Sequence, residues 1–348
     1  MKKIILMILL LFPGFIFAVN TSASKAILMD MDTKRIIYAK NIHEKQSVAS
    51  ISKIMTALIA IESGKLDDEV KINSVVKKAY GSAIYIKEGE KISLRDLVYG
   101  LMLRSGNDAA LSIADYVGGS VANFVDMMNE KANKIGMKNT TFNNPSGLDE
   151  EKGNYSTAYD MAILTSYAMK LKEYKKIVGT KKHIVKTNKN NYLWKNKNKL
   201  LTRYKYTTGG KTGYTKKAKR TLVTTASNKE INLVAVTLND GNDFKDHMNL
   251  FDYAFENYTK YQILKSGNIN IYNEKYYKNY NLYIKNDFDY ILDNNEKETV
   301  NLKYSIYRNV KVKEKAEIGK IEVKIGDKKI HDEKIYIKSK QKKKWSLW

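Results

Sequence analysis

The residues best placed to do chemistry are a serine and a lysine three positions apart. Ser50-Ile51-Ser52-Lys53 opens a run with apolar residues at Ile51, Ile54, Met55, Leu58, Ile59 and Ile61, a helical period that stops at Gly64. Positions i and i+3 share one helix face, so the Lys53 amine is expected to reach the Ser50 hydroxyl and act as its base. Ser50 would sit in the first turn, where free N–H groups and the helix dipole favour the negative charge that develops when a serine attacks. The spacing alone selects nothing, because Ser22–Lys25, Ser74–Lys77 and Ser339–Lys342 repeat it.

Two further strings narrow the choice. Ser-Gly-Asn occurs at Ser105-Gly106-Asn107 and again at Ser266-Gly267-Asn268, whereas Lys211-Thr212-Gly213 occurs once. The first Ser-Gly-Asn lies between two predicted helices, after Ser50 and before Lys211. The second follows a closing helix, where Gly267 predicts a turn in a linker. Other routes to catalysis fare worse. His43, His183, His247 and His331 are scattered without metal-ligand spacing, there is no cysteine to supply a thiolate, and no Gly-x-Ser-x-Gly elbow occurs. The chain is therefore expected to hold no metal and no cofactor.

The elements that must position these residues can be read from periodicity. "KAILMDMDTKRIIYAKN" predicts a hairpin turning near Asp32–Lys34. Residues 93–172 read mainly as helices, with Ser93 and Asp96 as a cap at the start and Gly118-Gly119 as a stop. "TLVTTAS" and "INLVAVTLND" read as paired strands, with strand resuming at Thr221 after Lys211-Thr212-Gly213, and Asn249–Tyr258 as a closing helix. Beyond Leu264 the texture becomes tyrosine-rich β alternation without helical period.

Bulk properties set the compartment. "MKKIILMILLLFPGFIFA" at 1–18 has two lysines, an apolar run and a small residue at its end, the pattern of a secretory signal peptide. Zero cysteines leave an exported chain dependent on its core, which 348 residues permit. A net charge of +24 on an exported protein points to anionic lipid headgroups or wall polymers as partners, not to nucleic acid.

The set Ser-x-x-Lys, Ser-Gly-Asn and Lys-Thr-Gly, in this order, resembles the motif trio of penicillin-binding proteins and class A β-lactamases. The likeness extends through "VASISKIMTALIAIE", "SLRDLVYGLMLRSGNDAALSIADYVGGS", "MNEKANKIGMKNTTFNNPSGLDEE", "WKNKNKLL" and "GGKTGYTKKAKRTLVTTAS". These segments are similar to the low-molecular-mass penicillin-binding proteins that are serine-type D-alanyl-D-alanine carboxypeptidases. The resemblance implies an α+β fold: a β-lactamase/transpeptidase-like domain of antiparallel sheet packed with helices, followed by a small all-β domain. The corresponding division is 1–18 signal peptide, 19–262 peptidase domain, 263–338 β-rich domain and 339–348 basic, aromatic tail. That tail is either an interfacial contact or a disordered terminus.

Carried over by position, the resemblance implies Ser50 as nucleophile, Lys53 as its base and Ser105 as proton relay. It implies Asn107, Lys211, Thr212, Gly213 and Tyr214 as substrate-binding residues, with the Ser50 and Tyr214 N–H groups as the oxyanion hole. The expected substrate is a peptidoglycan stem peptide ending in D-Ala-D-Ala, with β-lactams as covalent inhibitors, in the periplasm or at the outer face of the cytoplasmic membrane. Cleavage of peptide cross-links is the nearest alternative. A β-lactamase, with Glu150 or Glu151 as water activator, and a non-catalytic wall-binding module are the others. The chain departs from the family pattern at "YTTGG", at Lys219, and at "GNDFKDHM", where an arginine for carboxylate binding is expected and Lys245 or Arg220 would substitute.

Overall fold

The computed structural model describes residues 19–149, 152–272, 274–308, 310 and 313–340. The expected signal peptide, Glu150, Glu151 and the tail beyond 340 lie outside the described residues. Strands β1 (Lys25–Asp30) and β2 (Ile36–Lys40) form the predicted hairpin. They join β5 (Thr207–Thr215), β6 (Lys219–Asn228) and β7 (Ile231–Leu238) in a five-stranded antiparallel sheet of order β2-β1-β7-β6-β5.

The central strands read as unbroken apolar runs because both of their faces are covered. Ile27, Met29, Val234 and Val236 pack into the cluster holding α1 (Lys53–Glu62) and α5 (Ala158–Ala168). Leu28, Leu233 and Ala235 face the other way, onto Leu250, Phe251 and Ala254 of α7 (Asp243–Asn257). Alternate residues thus feed two cores, the period of two that strand pleating imposes. Between α1 and α5 stand α2 (Leu94–Tyr99), α3 (Asn107–Gly118) and α4 (Val121–Lys134); α6 (Lys172–Gly179) packs on β5. A hairpin of β3 (Lys182–Lys186) and β4 (Asn191–Lys195) precedes the sheet's edge strand.

Three details differ from the sequence reading. Residues 135–149 and 152–157 are mostly irregular, because Asn144 and Asn154 side chains satisfy backbone N–H groups there and compete with helix. The closing helix begins at Asp243, earlier than expected. Its polar first turn is tied down by Arg220 on Asp243 and Ser22 on Asp246, so it buries without an apolar signature. Lys211-Thr212-Gly213 lies within a strand, not ahead of one.

The chain ends in a β-rich region. β8 (Tyr258–Leu264) pairs with β11 (Phe288–Asp293). β9 (Gly267–Ile269), β10 (Tyr280–Ile284), β14 (Lys328–Ser339), β13 (Glu317–Ile325) and β12 (Val300–Ile306) make a second five-stranded sheet. The second Ser-Gly-Asn is therefore no linker turn: Gly267 and Asn268 pair with Ile284 and Tyr283. Arg35, from the first hairpin, reaches across to both carboxylate oxygens of Glu296 at 2.6 Å and lies over the Tyr258 and Tyr290 rings.

Candidate active site

Ser50 occupies a 3-10 turn, Ala49–Ser52, and α1 begins only at Lys53. This corrects the expected α-helical start. Side chains at i and i+3 eclipse in a 3-10 turn, so the tighter winding places Lys53 Nζ 3.2 Å from Ser50 Oγ. The turn is held under load. Ala49 sits at φ +51°, and a Cβ on Gly147 would fall 2.0 Å from the Ala49 carbonyl oxygen. Only glycine lets this loop press on the turn, and the neighbouring carbonyl of Ser146 then accepts a hydrogen bond from Lys53.

The Lys53 amine is fully buried and has three polar neighbours: Ser50 Oγ, Asn107 Oδ1 at 2.7 Å and the Ser146 carbonyl. The Asn107 orientation is fixed, because its Nδ2 donates to the Tyr80 carbonyl at 2.6 Å. Asn107 Oδ1 and the Ser146 carbonyl can only accept. Both protonation states satisfy this set: the ammonium donates to all three oxygens, and the neutral amine donates to these two and accepts from the Ser50 hydroxyl. Burial, reinforced by the charge of Lys197, lowers the Lys53 pKa to about 7.

Ser105 and Asn107 are placed by an unusual helix junction. α2 continues into a π-helical turn over Gly100–Arg104, Ser105 caps it at φ +65°, and α3 starts at Asn107. Such bulges cluster at functional sites because they re-aim side chains. The buried Asp108 carboxylate accepts the N–H groups of Ile84, Tyr85 and Ile86, while the Asn107 N–H bonds the Ser82 carbonyl. The loop over 80–86 is thereby clamped to the start of α3.

Lys211, also buried, donates to Ser105 Oγ at 3.1 Å and to the Thr212 carbonyl at 2.6 Å. Burial and then the Lys53 and Lys197 charges pull its pKa well below the usual lysine value. Gly213 brings the strand against the nucleophile: a Cβ there would meet Thr221 Oγ1 at 2.4 Å and the Ser50 nitrogen at 3.0 Å. Thr221 Oγ1 in turn bonds the Val48 carbonyl, tying β6 to the same turn. Because β5 is the outer strand of its sheet, its free edge runs past Ser50. An extended peptide can add there as a further strand.

Ser50, Lys53, Ser105, Asn107, Lys211 and Gly213 thus converge, joined by the contacts above; Thr212 follows on the same strand. The Tyr214 side chain points largely to solvent, 63% exposed, so only its backbone can serve the site. Arg220, opposite Tyr214, is held by Asp243 at 2.5 Å, and Lys245 is exposed on α7. Of the two substitutes named for the missing arginine, Arg220 is therefore already paired with a carboxylate. Reading the sequence missed Lys197, whose N–H bonds the Leu103 carbonyl and whose amine donates to Ser82 Oγ at 3.2 Å. It also missed Ser146 and Asp108. "WKNKNKLL" was the available signal for Lys197, but no spacing rule links that segment to Ser50.

A family model described as D-alanyl-D-alanine carboxypeptidase matches residues 16–242. The chain belongs to this family. D-alanyl-D-alanine carboxypeptidase DacF of Bacillus subtilis is 37% identical over 254 residues, a match covering 70% of this chain and 64% of that protein. DacD of Escherichia coli is 33% identical over 270 residues, covering 70% and 66%. The chain thus spans just under two thirds of the length of these relatives. Among solved structures, penicillin binding protein 5 from Haemophilus influenzae aligns with a TM-score of 0.79 at 27% identity, over 92% of this chain and 97% of that one. That alignment takes in the C-terminal β region as well as the helices and first sheet, and it bears out the α+β fold class expected from the sequence.

Proposed function

We propose that the protein is a serine D-alanyl-D-alanine carboxypeptidase that removes the terminal D-Ala from peptidoglycan stem peptides. The observation that carries this reading is the buried Lys53 amine 3.2 Å from Ser50 Oγ. Ser50 Oγ attacks the carbonyl carbon of the penultimate D-Ala, and its proton passes to Lys53 Nζ. The oxyanion is met by the N–H groups of Ser50 and Tyr214. Ser105, bonded to Lys211, relays a proton to the departing amine, since a hydroxyl both accepts and donates. The C–N bond breaks, D-Ala leaves, and water then cleaves the Ser50 ester to give the shortened peptide acid.

In this reading the substrate backbone lies along the free edge of β5, with Asn107 on its other side. Lys211 and Thr212 take the terminal carboxylate, whose charge favours the ammonium form of a lysine that burial otherwise disfavours. β-Lactams would acylate Ser50 by the same attack. We further propose that residues 263–338 form the second, β-rich domain and that the protein acts outside the cytoplasmic membrane. Among the described residues no helix is long and apolar enough to cross a membrane. Incubation with a stem pentapeptide should release D-Ala, with loss of activity in Ser50→Ala. Faster cutting of a cross-linked dimer than of the pentapeptide would make the protein an endopeptidase instead.

A further inference from the structure

The β3–β4 hairpin has two unlike faces. His183, Val185, Tyr192 and Trp194 turn inward; Val185 and Trp194 are almost fully buried, and His183 stacks on Tyr99 at 3.7 Å. The outward face carries Lys182, Ile184 and Lys186 on β3 and Asn191, Leu193 and Lys195 on β4, all exposed. Ile184 stands directly opposite Leu193, and these side chains are 77% and 57% exposed. Lys182 stands directly opposite Lys195.

Neither pair is fully satisfied in water. An exposed Ile–Leu pair forgoes burial, and like charges directly across an antiparallel ladder repel. Among the described residues no carboxylate forms an ion pair with Lys182, Lys186 or Lys195. An apolar centre ringed by unneutralised ammonium groups is complementary to a surface that is anionic outside and apolar a few ångströms in. A lipid bilayer with acidic headgroups has that profile, whereas an anionic polymer offers nothing for Ile184 and Leu193.

We propose that the outer face of this hairpin docks on anionic membrane lipid, with Ile184 and Leu193 entering the headgroup layer and Lys182, Lys186 and Lys195 meeting lipid phosphates. The hairpin's foot adjoins the candidate site: Arg104 Nη1 donates to the Lys195 carbonyl at 3.3 Å, and Ser105 is the next residue. Docking there would hold the mouth of the cleft near the headgroups. The inference does not rest on the catalytic assignment, because membrane binding and acylation of Ser50 are read separately.

The test is co-sedimentation of the full chain with phosphatidylcholine vesicles, with and without about one third phosphatidylglycerol, at low salt. The wild type should bind only the anionic vesicles. The double variant Ile184→Ser, Leu193→Ser should bind about tenfold more weakly, and Lys182→Gln with Lys195→Gln at least tenfold more weakly. Both should keep wild-type thermal unfolding, since the replaced side chains point outward. Because the chain has no cysteine, Ile184→Cys also gives a single site for an environment-sensitive dye, whose emission should shift to the blue on the anionic vesicles. Unchanged binding in the Ser double variant, or a dye that stays in water while protein sediments, would overturn the proposal. Loss of binding only in the lysine variant would mean adsorption to headgroup charge without insertion of Ile184 and Leu193, and would likewise overturn it.

Discussion

Lys53 Nζ and Ser50 Oγ are 3.2 Å apart, and the amine's other two polar neighbours can only accept hydrogen bonds. That relationship lets a neutral Lys53 take the Ser50 proton while its two hydrogens stay bonded, the role proposed for it. Since burial lowers its pKa to about 7, the neutral form grows as pH rises through that value. The rate of Ser50 acylation should therefore climb with pH and reach half its plateau near 7. A profile flat from pH 5 to 9, roughly the span over which such a base changes form, would remove Lys53 from the role.

The same shift has a stability consequence with a definite sign. Between about 7 and the ordinary lysine value of 10.5, unfolded Lys53 binds a proton that folded Lys53 does not. The unfolded state holds more protons there, so this group's contribution to stability rises with pH across the window. Lys53→Met abolishes that slope. Its stability relative to wild type should be highest near pH 7 and decline steadily toward pH 10, whatever constant offset comes from the orphaned Asn107 and Ser146 oxygens. Denaturant unfolding of both proteins at several pH values measures it.

Lys197 tunes the site through its charge, which lowers the pKa of both Lys53 and Lys211. Lys197→Met should raise the Lys53 pKa and move the acid limb of the acylation profile to higher pH, leaving the plateau less affected. A purely structural role would lower the plateau without moving the limb.

Gly213→Ala would put a methyl group 3.0 Å from the Ser50 nitrogen and against Thr221 Oγ1. The expected loss of acylation is on the order of 10²–10³-fold, comparable to deleting an oxyanion donor, with the fold retained. Stopped-flow acylation by a chromogenic cephalosporin, beside circular dichroism, separates the two effects.

Ser105→Ala removes the hydroxyl that Lys211 contacts at 3.1 Å. If Ser105 relays the proton to the leaving amine, D-Ala release should slow by roughly 10²–10⁴-fold. Substrates with better leaving groups should suffer less, because they need that proton less; equal losses across a leaving-group series would count against the relay.

Much of this arrangement is legible in the chain. The apolar period of Ile51–Ile61 and the runs "KAILMD" and "INLVAVTL" report local geometry, because strand and helix periods act over a few residues. The order of Ser50, Ser105 and Lys211 places the first Ser-Gly-Asn in the site and the second elsewhere. What stayed hidden is non-local. The contacts of Lys53 with the Ser146 carbonyl and of Lys197 with Ser82 join segments far apart in sequence, and no periodicity encodes them. The helix at Asp243–Asn257 was read short because its first turn is anchored by ion pairing and hydrogen bonds to distant residues, not by apolar spacing. The π-helical turn ahead of Ser105 carries no residue signature of its own.

The central claim is that Ser50 is the nucleophile. Intact-mass measurement after incubation with benzylpenicillin tests it most directly. The account predicts a single acyl adduct, mapped to the peptide containing Ser50 and absent from Ser50→Ala. No adduct on the folded wild type, or an adduct on any other serine, would contradict it.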